Sequence, residues 1–269
     1  MLSVHTNYAS LVAQNALNTN NSLLTTAMER LSTGLRINSA ADDAAGLQIA
    51  TRLNANVIGM KTANRNVSDA TSMLQTADGA MDQLTKIADR QKELATQSAN
   101  GVNSAQDRAA ISAESKELAA ESKRIVDNTT YAGNNLFSTI QNVTFQIGAG
   151  TKDTLDVKVT GATKLGAISG LKLSTQTDAN KSIAAVDKYL DAIGTARSML
   201  GANVNRLQHT AANLHNVTIN TESAYGRIMD ANFAHESAVM TREQILVQAG
   251  TRILSRANQN TGLVMGLLG

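Results

Sequence analysis

Histidines and carboxylates are the residues through which this chain could do acid–base or metal chemistry, and their spacing argues against both. His209 and His215 stand six apart, so they do not share a helical face, and His5 and His235 are remote from them in sequence. His235-Glu236 opens like a zinc-protease helix, in which a second histidine four positions after the first completes the metal pair. Position 239 is Val, so that ligand is missing. Glu114, Glu117 and Glu121 fall on one helical face, yet Lys116 and Arg124 lie among them, the usual pattern of a solvated charged surface. There is no cysteine to supply a thiolate, and no glycine-rich loop between a strand and a helix to cradle phosphate. The expectation is a protein with no catalytic residue, no cofactor and no metal. No enzymatic activity is expected.

Charge and hydropathy narrow the partners. A net charge of +2, from 24 basic and 22 acidic side chains, is too small to point to nucleic acid. No apolar run approaches the ~20 residues of a membrane span. The first residues, MLSVHTNYAS, lack the basic region and apolar core of a cleaved leader, so any exit from the cell is expected to use another route. What remains is contact between protein surfaces.

The elements that position such surfaces are helical. Proline is absent, where average usage of about 5% would supply roughly a dozen, so nothing interrupts a long helix by removing a backbone donor. In residues 1–31 a thin stripe of Val4, Tyr8, Val12, Ala16, Leu23, Ala27 and Leu31 predicts a weak helix that needs a partner. Ser32, Thr33 and Gly34 break it, and Ser39 with Asp42 makes a capping-box-like pair, with Asp43 adding a second carboxylate at the next helix start. From Ile49 and Leu53, then Met60 through Ala63, Val67, Ala70, Leu74, Ala77, Met81, Leu84, Ala88, Gln91 and Ala95 to Ser98, steps of three and four alternate, a coiled-coil seam. Asn100-Gly101 ends this helix and Ser104 with Asp107 caps another. Val143, Phe145 and Ile147, then Leu155, Val157 and Val159, alternate about the turn GAGTKDT, which predicts one β-hairpin near 142–160; Gly161, Gly166 and Gly170 continue a loop. A third long helix holds its seam from Ile183 to Ile228 through Val186, Leu190, Ile193, Arg197, Leu200, Val204, Leu207, Ala211 and Leu214. A last amphipathic segment has its own seam at Leu246, Ala249, Ile253, Ala257, Asn260, Val264 and Leu267.

The fold class is therefore mainly α: a long antiparallel coiled-coil rod with one small β-hairpin and paired N- and C-terminal helical arms. The expected divisions are an N-terminal arm over 1–40, a rod domain over 41–231 and a C-terminal arm over 232–269. Each arm is the partner the other lacks.

Two strings carry a resemblance. RLSTGLRINSAADDAAGLQIA (30–50) is similar to the N-terminal signature of bacterial flagellins, and RIMDANFAHESAVMTREQILVQAGTRILSRANQNTGLVMGLLG (227–269) resembles their C-terminus. The likeness spans roughly 1–135 and 180–269, and only the stretch between them is available where large flagellins carry outer domains. The resemblance implies a short flagellin: a filament subunit of the bacterial flagellum, extracellular and self-assembling for swimming motility. It also implies unfolded export through the flagellar secretion apparatus with a chaperone, and contact with cap and junction proteins. The seam of the last segment, too interrupted by polar residues to fold alone, makes it the expected polymerisation arm, centred on Leu246, Ile253, Ala257, Val264 and Leu267; the resemblance adds a receptor patch. A patch read by the flagellin-sensing Toll-like receptor of innate immunity would use Arg90, Leu94 and Gln97 in DRQKELATQSAN (89–100), with Ile111 and Glu114 on the next helix. Arg90 and Leu94 are i,i+4 neighbours, a guanidinium fork beside an apolar knob. Asp89, Gln91 and Thr96 depart from the strings of strong agonists. Two other readings use the same pattern: a hook–filament junction protein, and a cytoplasmic coiled-coil signalling module.

Overall fold

The computed structural model describes residues 6–159, 168 and 171–268, with 260–268 given as helix only. The elements run α1 (Tyr8–Thr33), α2 (Ala44–Ser98), α3 (Ala105–Asn128), β1 (Thr130–Tyr131), β2 (Asn134–Asn135), α4 (Leu136–Thr139), β3 (Val143–Gln146), β4 (Thr154–Val157), α5 (Gln176–Met229) and α6 (Phe233–Leu268). They form two compact units, one of residues 1–55 with 220–269, the other of residues 56–219. Packing thus places the divisions inside the long helices, whereas the sequence reading placed them at the helix breaks. Val4, the loop glycines 161, 166 and 170, and the side chains of Asn260, Val264 and Leu267 lie outside the described residues.

The unit of residues 56–219 is built on the seam of α2. Met60, Ala63, Val67, Ala70, Leu74, Ala77, Met81, Leu84, Ala88, Gln91, Ala95 and Ser98 are all buried. Alternating alanines with Leu and Met lets neighbouring backbones come close while the larger side chains fill the gaps. Facing them are Val186, Ile193, Leu200, Leu207 and Leu214 of α5. The two helices run antiparallel: Lys92 Nζ meets Asp187 at 2.7 Å and Arg197 Nε meets Asp78 at 2.8 Å. Arg197 occupies a seam position yet stays half-exposed, because Asp78 and Asp82, one turn apart on α2, hold its guanidinium at the edge; Ala196 takes the buried place.

Helix α3 starts on a reciprocal cap. The Asp107 N–H donates to Ser104 Oγ at 3.2 Å, and the Ser104 N–H donates back to Asp107 Oδ2 at 2.9 Å. The Ser104 hydroxyl and amide together hold the Asp107 carboxyl below its ordinary range. Further along, Ser122 Oγ lies 3.2 Å from the buried Tyr189 hydroxyl.

Strands β3 and β4 pair antiparallel, with Phe145 opposite Leu155 and Val143 opposite Val157, which is the expected hairpin. It is tied to α2 by Asn66, whose amide donates to the Gln146 carbonyl at 3.1 Å. Its turn packs close to Gly59, where a β-carbon would come within 2.8 Å of Ala149. A second, two-residue ladder, β1 with β2, was not legible beforehand; it forms where Ala132 and Gly133 both take positive φ.

In the unit that joins the two chain ends, α1 closes on Gly34, which has φ 73° and donates its N–H to Arg30 O at 2.9 Å. The chain then pairs briefly with the end of α5: Arg36 N–H donates to Met229 O at 2.6 Å and Ala231 N–H to Gly34 O at 2.9 Å. Ile37, Ala50 and Met229 make a small core there. Ser39 and Asp42 form a turn ahead of α2 and do not cap it. The N–H groups of Ser39 and Asn38 converge on the Asp42 carboxyl and hold it low. The cap is Asp43, whose carboxylate accepts from Gly46 N–H at 2.8 Å.

Replacing Leu207, fully buried in the α2–α5 core, by Asp places a carboxylate where nothing pairs it, at a cost of several kcal/mol. The Leu207→Asp protein should melt well below the parent in a circular-dichroism scan. An unchanged midpoint would remove this face from the core.

Candidate assembly and contact surfaces

Helices α1 and α6 lie antiparallel. Asn7 Nδ2 donates to Ala257 O at 2.8 Å, Leu17 abuts Gly250, and Arg30 Nη1 meets Glu236 at 3.2 Å. The positions that lose solvent on α1 are Ser10, Ala13, Leu17, Asn20, Leu24, Ala27 and Leu31, a 3,4 alternation. On α6 they include Glu236, Met240, Glu243, Val247, Gly250, Leu254 and Ala257, again in steps of three and four. This seam mixes Leu17, Leu24, Leu31, Met240, Val247 and Leu254 with small and polar residues. Glu236 is buried and paired with Arg30, while Glu243, 4% exposed, keeps one carboxylate oxygen with no partner.

A second set of large apolar side chains points the other way. Tyr8 is 78% exposed, and Leu11, Val12, Leu23 and Met28 are also open on α1. On α6, Phe233, Ile245, Leu246 and Ile253 are exposed, the last at 58%. The sequence reading had put Tyr8, Val12 and Leu23 on the seam between the arms, and it had put Leu246, Ala249 and Ile253 on one seam with Ala257. Of the described residues that the sequence reading put on these seams, Ala27, Leu31 and Ala257 face the other arm. Leu246, Ala249 and Ile253 instead share an outer face with Ile245, beside Arg242, Arg252 and Arg256.

The α2–α3 surface is divided differently. Arg90 donates through Nη1 to Glu93 at 2.9 Å and through Nη2 to Glu114 at 2.8 Å, which spans the two helices; the two carboxylates, Glu93 first, raise its already high pKa. Gln97 is exposed. Leu94, however, is 1% exposed and packs with Ala95, Ile111, Leu173 and Ala179. It is not the surface knob that i,i+4 spacing suggested. Leu94 and Ile111 hold the helices together, and Arg90, Gln97 and Glu114 form the accessible face above them.

The residues considered for chemistry are dispersed. His209, His215 and His235 are exposed, and His5 lies outside the described residues. Glu236 is committed to Arg30 and Glu114 to Arg90, while Glu121 pairs with Arg124 at 2.6 Å. Among the described residues no group of three or more His, Asp or Glu is placed to hold a metal ion. No helix among them is long and apolar enough to cross a membrane.

Two long antiparallel seams, with apolar faces left open on the paired terminal helices, make a contact protein. Residues 4–142 match the family model of the bacterial flagellin N-terminal helical region, and 183–268 match that of the C-terminal helical region. The chain belongs to the bacterial flagellin family. It is a structural subunit of the flagellar filament. It is 40% identical over 246 residues to a flagellin of Halalkalibacterium halodurans, covering 90% of each chain. It is 34% identical over 283 residues to the flagellar filament 33 kDa core protein of Treponema phagedenis, covering 98% of this chain and 99% of that one. The fold is also seen in a putative flagellar hook-associated protein from Vibrio parahaemolyticus, at a TM-score of 0.58 and 14% identity over 70% of this chain and all of the other.

The Arg30–Glu236 pair is a buried charge contact in a thin seam. Arg30→Met strands the Glu236 carboxylate and should cost the α1–α6 pairing about 3–5 kcal/mol. Amide hydrogen exchange along α1 would accelerate accordingly, and the Arg30→Met/Glu236→Met double variant should recover most of the protection. Equal exchange in the single variant and the parent would show that this pair does not hold the helices.

Proposed function

We propose that this chain polymerises through the outer faces of α1 and α6, which dock against the same helices of neighbouring copies. The observation that carries the reading is the outer face of the arms: Leu17, Leu24, Leu31, Met240, Val247 and Leu254 share the inner seam with small and polar residues, while Tyr8, Leu11, Val12, Ile245, Leu246 and Ile253 face out. Hundreds of Å² of apolar side chain are left for other copies to cover, at roughly 25 cal/mol per Å². The growing end of a polymer supplies that cover, so growth from an existing end is favoured over association of two free copies. Val264 and Leu267 continue the same segment and belong to this arm in the proposal.

The filament stands outside the cell in this reading, and the chain reaches it unfolded through the flagellar secretion apparatus with an export chaperone. A thin seam between α1 and α6, and the lack of proline and cysteine, suit a chain that must open and refold. Cap and junction proteins are its further partners at the ends of the filament. For the flagellin-sensing Toll-like receptor, the accessible contact set is Arg90, Gln97 and Glu114, with Leu94 and Ile111 acting through the shape of the surface they support.

Ile253→Asp tests the assembly reading, because the side chain is exposed in the monomer. Its melting curve should match the parent, and seeded growth followed by sedimentation and negative-stain microscopy should fail. A variant truncated before Leu246 should fail in the same way. Elongation of either at the parental rate would dismiss α6 as the assembly element, and a stable short ring would favour the junction-protein role. In receptor assays, Arg90→Ala should weaken the response without lowering stability, whereas Leu94→Ala should destabilise the unit by about 2–5 kcal/mol as a cavity forms. If Leu94→Ala melts like the parent, the assignment of Leu94 to the core is wrong.

A further inference from the structure

We propose that Asn100 is a self-modification site, at which the Gly101 backbone nitrogen displaces the side-chain amide and Arg108 serves as the positioning residue. Asn100-Gly101 is the only Asn-Gly pair in the chain. It sits exposed in the turn between α2 and α3. Glycine puts no β-carbon in the path of ring closure, and the surroundings are open: a β-carbon there would meet only Gln176 Nε2, at 3.9 Å.

Three contacts prepare the reaction. The Gly101 N–H has no protein acceptor among the described residues, so the nucleophile is not tied up. The Val102 N–H donates to Asn100 Oδ1 at 3.3 Å, which folds the carboxamide back over its own following peptide and draws electron density from Cγ. Arg108 Nη2 donates to Asn100 O at 2.8 Å. That oxygen belongs to the same peptide group as the Gly101 nitrogen, so a cation on it stabilises the negative charge left when the nitrogen loses its proton. Arg108 is itself fixed by Ser98 O at 2.9 Å and Asn103 O at 2.8 Å.

The neighbouring Asn103-Ser104 has none of this. Its side-chain amide donates to Gln97 O at 2.6 Å, and the Ser104 N–H that would attack is bound to the Asp107 carboxylate at 2.9 Å. It is a control within the same turn.

In the reaction, hydroxide takes the proton from the Gly101 nitrogen, which attacks Asn100 Cγ. The new N–Cγ bond forms and the Cγ–amide bond breaks, and ammonia leaves with a proton from water. Water then opens the five-membered imide at either carbonyl and leaves aspartate or isoaspartate at position 100. One water is consumed and one ammonia released, with no change of oxidation state. The product places a carboxylate beside Arg108, and the isoaspartyl form adds a methylene to the backbone of the turn that Arg108 ties.

The test is to incubate the purified full chain in mildly alkaline buffer and map the peptide spanning 93–108 by mass spectrometry, with isoaspartyl methyltransferase labelling to detect the rearranged form. Conversion should occur at Asn100 and not at Asn103. Arg108→Gln should slow it several-fold in the folded protein, Arg108→Lys should retain most of the rate, and in urea the three should be equal. Gly101→Ala, which the open surroundings accommodate, should slow it several-fold whether or not the Arg108 variants fold. No conversion at Asn100 in the parent would overturn the site. A folded Arg108→Gln protein that reacts as fast as the parent, or faster, would overturn the role of Arg108.

Discussion

Everything in the unit of residues 56–219 depends on one constraint: α2 and α5 must present an uninterrupted 3,4 alternation over many turns. A single proline or a slipped step would rotate every later side chain off the seam. The alternation of Ala63, Ala70, Ala77, Ala88 and Ala95 with Val67, Leu74, Met81 and Leu84 keeps the helices close and the gaps filled. The polar members of the seam reach to other segments, although Gln91 Oε1 has no protein partner among the described residues. Gln91 donates to Ser115 O at 3.4 Å, and Ser98 donates to Leu173 O at 2.7 Å, so each ties another segment to the core. The hairpin then needs no sheet of its own, because Leu155, Val157 and Val159 bury against the same cluster.

The paired terminal helices use the same period to the opposite end. Their facing positions are Ala, Ser, Asn, Gly and Glu as much as Leu, Met and Val, and a second set of large residues faces solvent, an inversion of the α2–α5 pattern on that face. Burial within one copy therefore returns little to set against the cost of ordering the segment. A helix pair composed this way is stable enough to form and short of satisfied. The free energy still available lies on its outside, where only another molecule can collect it.

That inversion explains where the sequence was and was not legible. The seams of α2 and α5 were read almost residue by residue, because in a unit that packs against itself the large apolar side chains are the buried ones. The exception at the start of α2 is a phase shift: Ile49 is exposed while Ala50 and Val57 are buried. On α1 and α6 the same rule selected Tyr8, Val12, Leu246 and Ile253, which are exposed, since in the proposed assembly hydrophobicity there marks contact between copies. Burial of Leu94 was hidden for a different reason. Spacing places it beside Arg90 on the helix surface, and only the position of α3 and Leu173 decides that this part of the surface is covered. The Arg197 edge clamp was readable in principle, since Asp78 and Asp82 stand one turn apart opposite an arginine on a seam.

The string 30–50 illustrates how long-range structure writes a local motif. Taken alone it reads as one helix end and one helix start. In the folded chain Arg30 holds Glu236, Gly34 supplies the left-handed turn, and Gly34 and Arg36 exchange backbone hydrogen bonds with residues 229–231. Ile37 fills the corner with Met229 and Ala50, and a β-carbon at Gly46 would crowd the Asp43 carboxylate and stand 2.8 Å from Ile37 Cδ1. Asp42 and Asp43 then divide the work, one closing the turn and the other capping α2. Nearly every position is thus committed to a partner, several of them some two hundred residues away. A string of this kind has little freedom to vary without losing the corner where the two chain ends meet, and that is the physical content of its likeness to other members of the family.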